Sequence, residues 1–105
     1  MKFGKTHDAV GRRYRLSIAA EEDLIGIALF GDEHFGIAKS DRYRDQLERR
    51  FSTLAEQPSL YPAVDHLRKG YRRSVCGVHS IYYRIDGKVV QIIRILRNQD
   101  PQKQL

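Results

Sequence analysis

The residues with the most chemical potential in this chain are concentrated between positions 67 and 97. There Arg68, Lys69, Arg72, Arg73, Arg84, Lys88, Arg94 and Arg97 face a single acid, Asp86, and are interleaved with Tyr71, Tyr82, Tyr83 and His79. Arginine and lysine can stabilise the charge that builds up on a phosphate under attack, and histidine or tyrosine can move protons. Such a set could therefore cleave RNA. Tyrosine and arginine are also the residues that most often anchor protein interfaces, so the same stretch could be a docking surface. Residue types alone leave both readings open. A pair such as Arg72-Arg73 is about as often a solvated strand edge. His79, two residues after Gly77, is more often a packed or hydrogen-bonded histidine than a catalyst.

Other chemistries find little support. The histidines are His7, His34, His66 and His79, with no metal-ligand spacing among them, and Cys76-x-x-His79 is too small a set for zinc. There is no glycine-rich phosphate loop and no serine in a nucleophile elbow. The basic stretch is too poor in acids for a two-carboxylate site. The sequence predicts no catalytic set, no metal and no cofactor.

These residues must be positioned by a small scaffold. The chain has 105 residues, enough for one domain, and its 41% hydrophobic content supports a modest core. Net charge is +6, which points to an acidic partner. The charge is uneven: residues 19–65 carry five Lys/Arg against ten Asp/Glu, whereas residues 66–97 carry eight against one. Cys76 is the only cysteine, so no intramolecular disulfide can form, and its apolar-alternating neighbourhood predicts a buried structural thiol in a reducing cytoplasm. No apolar run approaches the ~20 residues that cross a bilayer. Residues 1–13 are basic without an apolar core and are expected to be a flexible leader. Residues 14–96 are then the folded domain and 97–105 a polar C-terminal tail.

Residues 14–18 alternate apolar and polar, the signature of a half-buried strand. Glu21, Glu22 and Asp23 follow, suited to the positive end of a helix dipole, with Ser17 placed to cap it. A first helix is predicted from about residue 19 to Phe35, weakened by Gly26 and Gly31. Gly36 breaks the chain. A second helix then carries Tyr43, Leu47, Phe51, Leu54 and Ala55 on one stripe and ends at Pro58. After a loop come three strands, at about 70–76, 79–85 and 88–96. The last two are joined by an Asp86-Gly87 hairpin signal. The final strand is almost continuously apolar, as expected at the centre of a sheet. Tyr82 and Tyr83 point to opposite faces of one strand, so only one of them is expected in the core. The fold class is α+β in the order β-α-α-β-β-β: a helical hairpin on one face of a small, mainly antiparallel sheet, with the first strand paired to the last.

Several of these residues recur together in one known family. Leu16-Ser17-x-x-Ala20-x-x-Asp23-Leu24-x-x-Ile27 is followed by Gly36, Tyr43, Leu47, Leu54-Ala55 and Pro58. Leu67-Arg68-x-Gly70-Tyr71-Arg72-Arg73, Gly77-x-His79, Tyr83-Arg84 and Ile93-Arg94-Ile95-Leu96 complete the set. In this order and register the chain resembles the ParE toxins of the RelE/ParE superfamily. Phe35 stands where family members often have tryptophan. RelE-like members are ribosome-dependent mRNA endonucleases whose arginine and tyrosine set aligns here near Ser80, Asn98 and Gln104, none of which supplies that chemistry. ParE-like members bind DNA gyrase. The resemblance therefore implies a toxin neutralised by a ParD-type antitoxin, with DNA gyrase as target, no membrane association and no sequence-specific DNA binding by the toxin alone. The expected partner-binding residues are Arg72, Arg73, His79, Tyr83, Arg84, Arg94 and Arg97. The alternative reading is a ribosome-dependent ribonuclease using Lys69, Arg72, Arg73, His79 or Tyr83. A free-standing DNA-binding domain is the weakest reading, because the helical half is net acidic.

Overall fold

The computed structural model describes residues 3–9 and 12–105, with side chains from Arg13 onward. Strand β1 (Phe3–Ala9) and strand β2 (Arg12–Ser17) precede helices α1 (Ile18–Phe35) and α2 (Ile37–Glu56). Strands β3 (Tyr71–Cys76), β4 (His79–Asp86) and β5 (Val89–Leu96) follow, and a single turn, α3 (Pro101–Gln104), lies near the C-terminus. The β-α-α-β-β-β order is the one read from the sequence. It is preceded by β1, so residues 3–9 are a strand and not part of a flexible leader, and the first element of the expected core begins at Arg12. The rest of that stretch, residues 1–2 and 10–11, lies outside the described residues. The pairing has a physical rationale: β2 would otherwise present an open edge of unpaired amides and carbonyls.

The sheet order is β1-β2-β5-β4-β3. The first core strand pairs with the last, as expected: β2 runs parallel to β5, and every other neighbouring pair is antiparallel. β5 is therefore central, and its apolar run is buried nearly throughout. A β-bulge opposite Tyr82 and Tyr83 skips Ile93 in the β4–β5 register. The extra residue shifts the alternation by one, so that Val90, Ile92 and Ile95 all reach the same core. The β4–β5 hairpin loop is Gly87-Lys88, one residue later than the Asp86-Gly87 signal, because Asp86 still pairs with Val89. Gly87 supplies the positive φ (59°) that a tight loop of this length requires.

Both faces of the sheet are covered. On one side α1 and α2 bury Leu16, Ala20, Leu47, Phe51, Leu54, Ile81 and Tyr83. On the other, the loop before β3 and the C-terminal turn cover a smaller cluster of Val64, Tyr82 and Leu96, with Leu67, Tyr71 and Leu105 against it. Tyr82 and Tyr83 do point to opposite faces, yet both are buried. The expectation that only one could be core fails because the second face is not left to solvent. Segment 58–70 folds back through Val64 N–H to Tyr71 O and Arg73 N–H to Pro62 O.

Helix α1 is tied to the sheet along a seam at β5. β2 ends at Ser17, while β5 continues for several residues beyond the last β2 partner, Ile92. Over that free edge the chain turns into α1. Ser17 Oγ caps α1 by accepting from Ala20 N–H (3.0 Å) and donates to Ile93 O (2.7 Å). One turn on, Asp23 accepts from Ile95 N–H (2.9 Å) and from both sides of the Arg94 guanidinium (2.7 and 2.9 Å). Truncating one member of a shielded, bidentate pair leaves the other charge poorly solvated. Asp23→Ala is expected to lower unfolding free energy by about 2–4 kcal/mol, and Asp23→Asn by about half as much. Urea denaturation of the two variants checks this. A loss below about 0.5 kcal/mol for Asp23→Ala would show that the seam is not structural.

Candidate partner-binding site

A groove of about 650 Å³ opens between α1, the start of α2, the β3–β4 turn and the chain just beyond β5. Ile27, Phe30 and Gly26 form the α1 wall, Phe35 and Lys39 the helix-joining end, Val78 and His79 the turn, and Ile95, Arg97 and Gln99 the far side. Its rim is apolar and open: Phe30, Phe35 and Val78 are 46%, 57% and 58% exposed. Phe30 stacks on His34 (4.0 Å between centroids), and Lys39 Nζ lies 5.9 Å from the Phe35 ring.

Tyr43 sets the floor. At Gly77 φ is +61°, and an added Cβ would lie 2.6 Å from the Tyr43 ring and hydroxyl. Glycine is therefore required twice at this turn, for its backbone and for the tyrosine beneath it. The Tyr43 hydroxyl accepts from Val78 N–H (3.1 Å) and lies 3.2 Å from Cys76 O and 2.7 Å from His79 Nδ1. Burial raises the Tyr43 phenol above its usual range. Burial, reinforced by the positive charge of Arg97, lowers the His79 imidazole, against a smaller opposing pull from Asp23. His79 is thus held towards its neutral form in a cavity wall.

The residues expected to bind a partner do not form one patch. Only His79 and Arg97 line the groove. Arg94 is spent on Asp23 and on Gln104. Arg72 donates to Tyr61 O (2.7 Å). Tyr83 is fully buried, donates to Pro58 O (2.7 Å), and burial pushes its phenol up to about 12. Arg84 pairs with Gln91. Arg73 and Arg84 are both exposed, and alternation along the paired strands places them on the sheet face opposite the helices. Sequence reasoning assigned Tyr43 to the core and treated Gly26 only as a helix-weakening residue. The one signal that could have flagged Gly26 was that cost itself. Among the described residues there is no group of three or more His, Cys, Asp or Glu placed to hold a metal, and no helix long and apolar enough to cross a membrane.

Comparison with known proteins gives a consistent picture. Residues 14–101 match the family described as ParE toxin of type II toxin-antitoxin system, parDE. Toxin ParE1 of Caulobacter vibrioides is 36% identical over 83 residues, covering 79% of this chain and 85% of that protein. Toxin ParE1 of Mycobacterium tuberculosis is 30% identical over 88 residues, covering 83% and 90%. A chain from a solved chromosomal ParDE toxin–antitoxin system of P. aeruginosa superposes with a TM-score of 0.70 at 21% identity, covering 80% of this chain and 92% of that one.

Because folding lowers the His79 pKa below its free value of 6.5, the unfolded chain binds this proton more readily. Its contribution to stability is complete above pH 6.5 and is lost as the pH falls through the lower folded value. The urea midpoint of the wild-type protein should therefore drop as the pH falls below the free histidine value of 6.5, and His79→Gln should flatten that fall. An unchanged slope in the variant would remove His79 as the cause.

Proposed function

The chain belongs to the ParE toxin family, and from that premise we propose that it acts by binding: it inhibits DNA gyrase in the cytoplasm and is neutralised by a ParD-type antitoxin. The observation that carries this reading is how the sequence's chemical groups are used. A nuclease built on the basic strands would need free arginines and a tyrosine poised for proton transfer. Here the Tyr83 hydroxyl is buried on a carbonyl, Arg72 holds a loop and Arg94 holds α1. On the helical side, the groove presents an apolar surface with His79, Arg97 and Lys39 on its walls. Aromatic and arginine anchors around a concave apolar surface are the composition of a protein interface. Electrostatic attraction from a chain of net charge +6 would speed the approach of an acidic partner.

Inducing the toxin alone and assaying purified gyrase with supercoiled plasmid tests the proposal. The expected result is trapped gyrase–DNA cleavage complexes, with an SOS response and filamentation in cells. Rapid, codon-linked mRNA cleavage with gyrase untouched would overturn it in favour of the ribonuclease. One substitution separates the readings further. Tyr83→Phe removes a single hydrogen bond, costs about 1 kcal/mol in stability, and should leave toxicity intact. A loss of toxicity of a hundredfold or more in a protein that remains folded would restore a proton-transfer role for Tyr83.

A further inference from the structure

The sheet face turned away from the helices carries basic charge that the fold leaves unanswered. Register decides which residues share it. Arg15 of β2, Gln91 of β5, Arg84 of β4 and Tyr71 of β3 are neighbours in one row across four strands. Alternation places Arg73 and Asp86 on the same face. The cover supplied by segment 58–70 and the C-terminal turn centres on Tyr82 and Leu96 and leaves Arg73 and Arg84 exposed. Lys69 and Lys88, also exposed, lie in the loops that lead into β3 and β5.

Gln91 sets how Arg84 is held. Although only 3% exposed, its amide accepts from Arg84 Nε and donates to Asp86 Oδ2 (3.2 Å). Asp86 is the one acid that strands β2 to β5 place on this face, and its printed partner is a neutral amide rather than an arginine. Arg84 is thus fixed through one edge of its guanidinium. Among the described residues, its Nη atoms and the whole Arg73 side chain have no hydrogen-bond partner. The two arginines are diagonal neighbours across the β3–β4 pair, about 7–8 Å apart along the sheet. Like charges so placed repel, and a ligand with closely spaced anions would offset that cost.

The chemistry of the face selects among anionic partners. Free guanidinium edges match phosphate oxygens in pairs. An acidic protein would also need apolar anchors at the centre of its contact. Here the large apolar side chains, Tyr82 and Leu96, are already buried in the second cluster, and exposed Val75 lies at the far end of β3. We infer that this face binds the sugar–phosphate backbone of duplex DNA without reading its sequence. Arg73 and Arg84 each take a phosphate, Gln91 positions Arg84, and Lys69 and Lys88 add charge from the adjoining loops. Only the source of the DNA rests on the gyrase reading: it is the duplex that gyrase holds.

Fluorescence anisotropy of a labelled linear duplex with the full-length toxin, from about 50 to about 200 mM salt, tests the assignment. The wild type should bind with a Kd of roughly 10⁻⁴–10⁻⁶ M near physiological salt and weaken steeply as salt rises. Arg73→Gln combined with Arg84→Gln should weaken binding about tenfold and flatten the log–log salt slope by about 2. Arg42→Gln combined with Arg49→Gln removes the same charge from exposed positions of α2 and should leave the slope unchanged. Equal losses in the two double variants would reduce the effect to net charge and overturn the assignment. So would a duplex affinity indifferent to Arg73 and Arg84. With purified gyrase and plasmid, the sheet-face variant should trap about tenfold fewer cleavage complexes. Lost trapping with duplex binding intact would give the face to a protein partner and overturn the proposal. Duplex binding that depends on Arg73 and Arg84 in a wild-type toxin that traps no gyrase would uphold the face and overturn the gyrase reading alone.

Discussion

Asp23 takes the place of a strand. Where β2 leaves the sheet, the edge of β5 still carries an amide and a carbonyl that need partners, and the first turns of α1 provide them. Ser17 closes the helix and the sheet with one hydroxyl, and Asp23 binds the Ile95 amide and the Arg94 guanidinium with one carboxylate. Buried backbone groups must be paired, so this seam fixes where α1 lies and how it is angled. The groove wall, the position of Gly26 over it and the direction taken by the chain after β5 all follow from that placement.

The same seam explains why the basic half of the chain is not simply a basic surface. Arg94 completes the Asp23 pair and reaches Gln104, which brings the C-terminal turn against the sheet. Arg68 then binds the Leu105 carbonyl (2.7 Å), and Leu105 packs on the second cluster with Tyr82 and Leu96. Charges that read as a docking face are thus partly used in closing the domain. At the groove, Arg97 and, from α2, Lys39 stand beside apolar neighbours, while Arg73 is exposed on the opposite sheet face. A small protein that leaves Phe30, Phe35 and Val78 this exposed carries a surface that water disfavours, which is the mark of a partner site.

Stability and recognition pull against each other at the groove. Gly26 weakens α1, the open aromatic rim forgoes burial, and His79 is buried in a form that acid disfavours. The remaining core is conservative: Leu47, Phe51 and Leu54 from α2 pack on Ile81, Tyr83, Ile92 and Ile95 of the central strands. Gly26, the aromatic rim and His79 thus gather at one groove, where a partner could compensate for them.

Periodicity and local chemistry determined the elements. The two-residue alternation before Ser17, the α2 stripe from Tyr43 to Leu54, the stop before Pro58 and the apolar run of β5 each follow from interactions within a few residues, and each is legible in one dimension. The family motif was legible too, because it is a register of those same local features. The turn at Gly77 was visible, but not the tyrosine beneath it. Tertiary structure alone decided which basic residues remain available. Asp23 and Arg94 are 71 positions apart, Tyr43 and His79 are 36 apart, and Tyr83 meets Pro58 across 25. A side chain's availability depends on what the fold brings to it from a distance, and composition and spacing carry no record of that meeting.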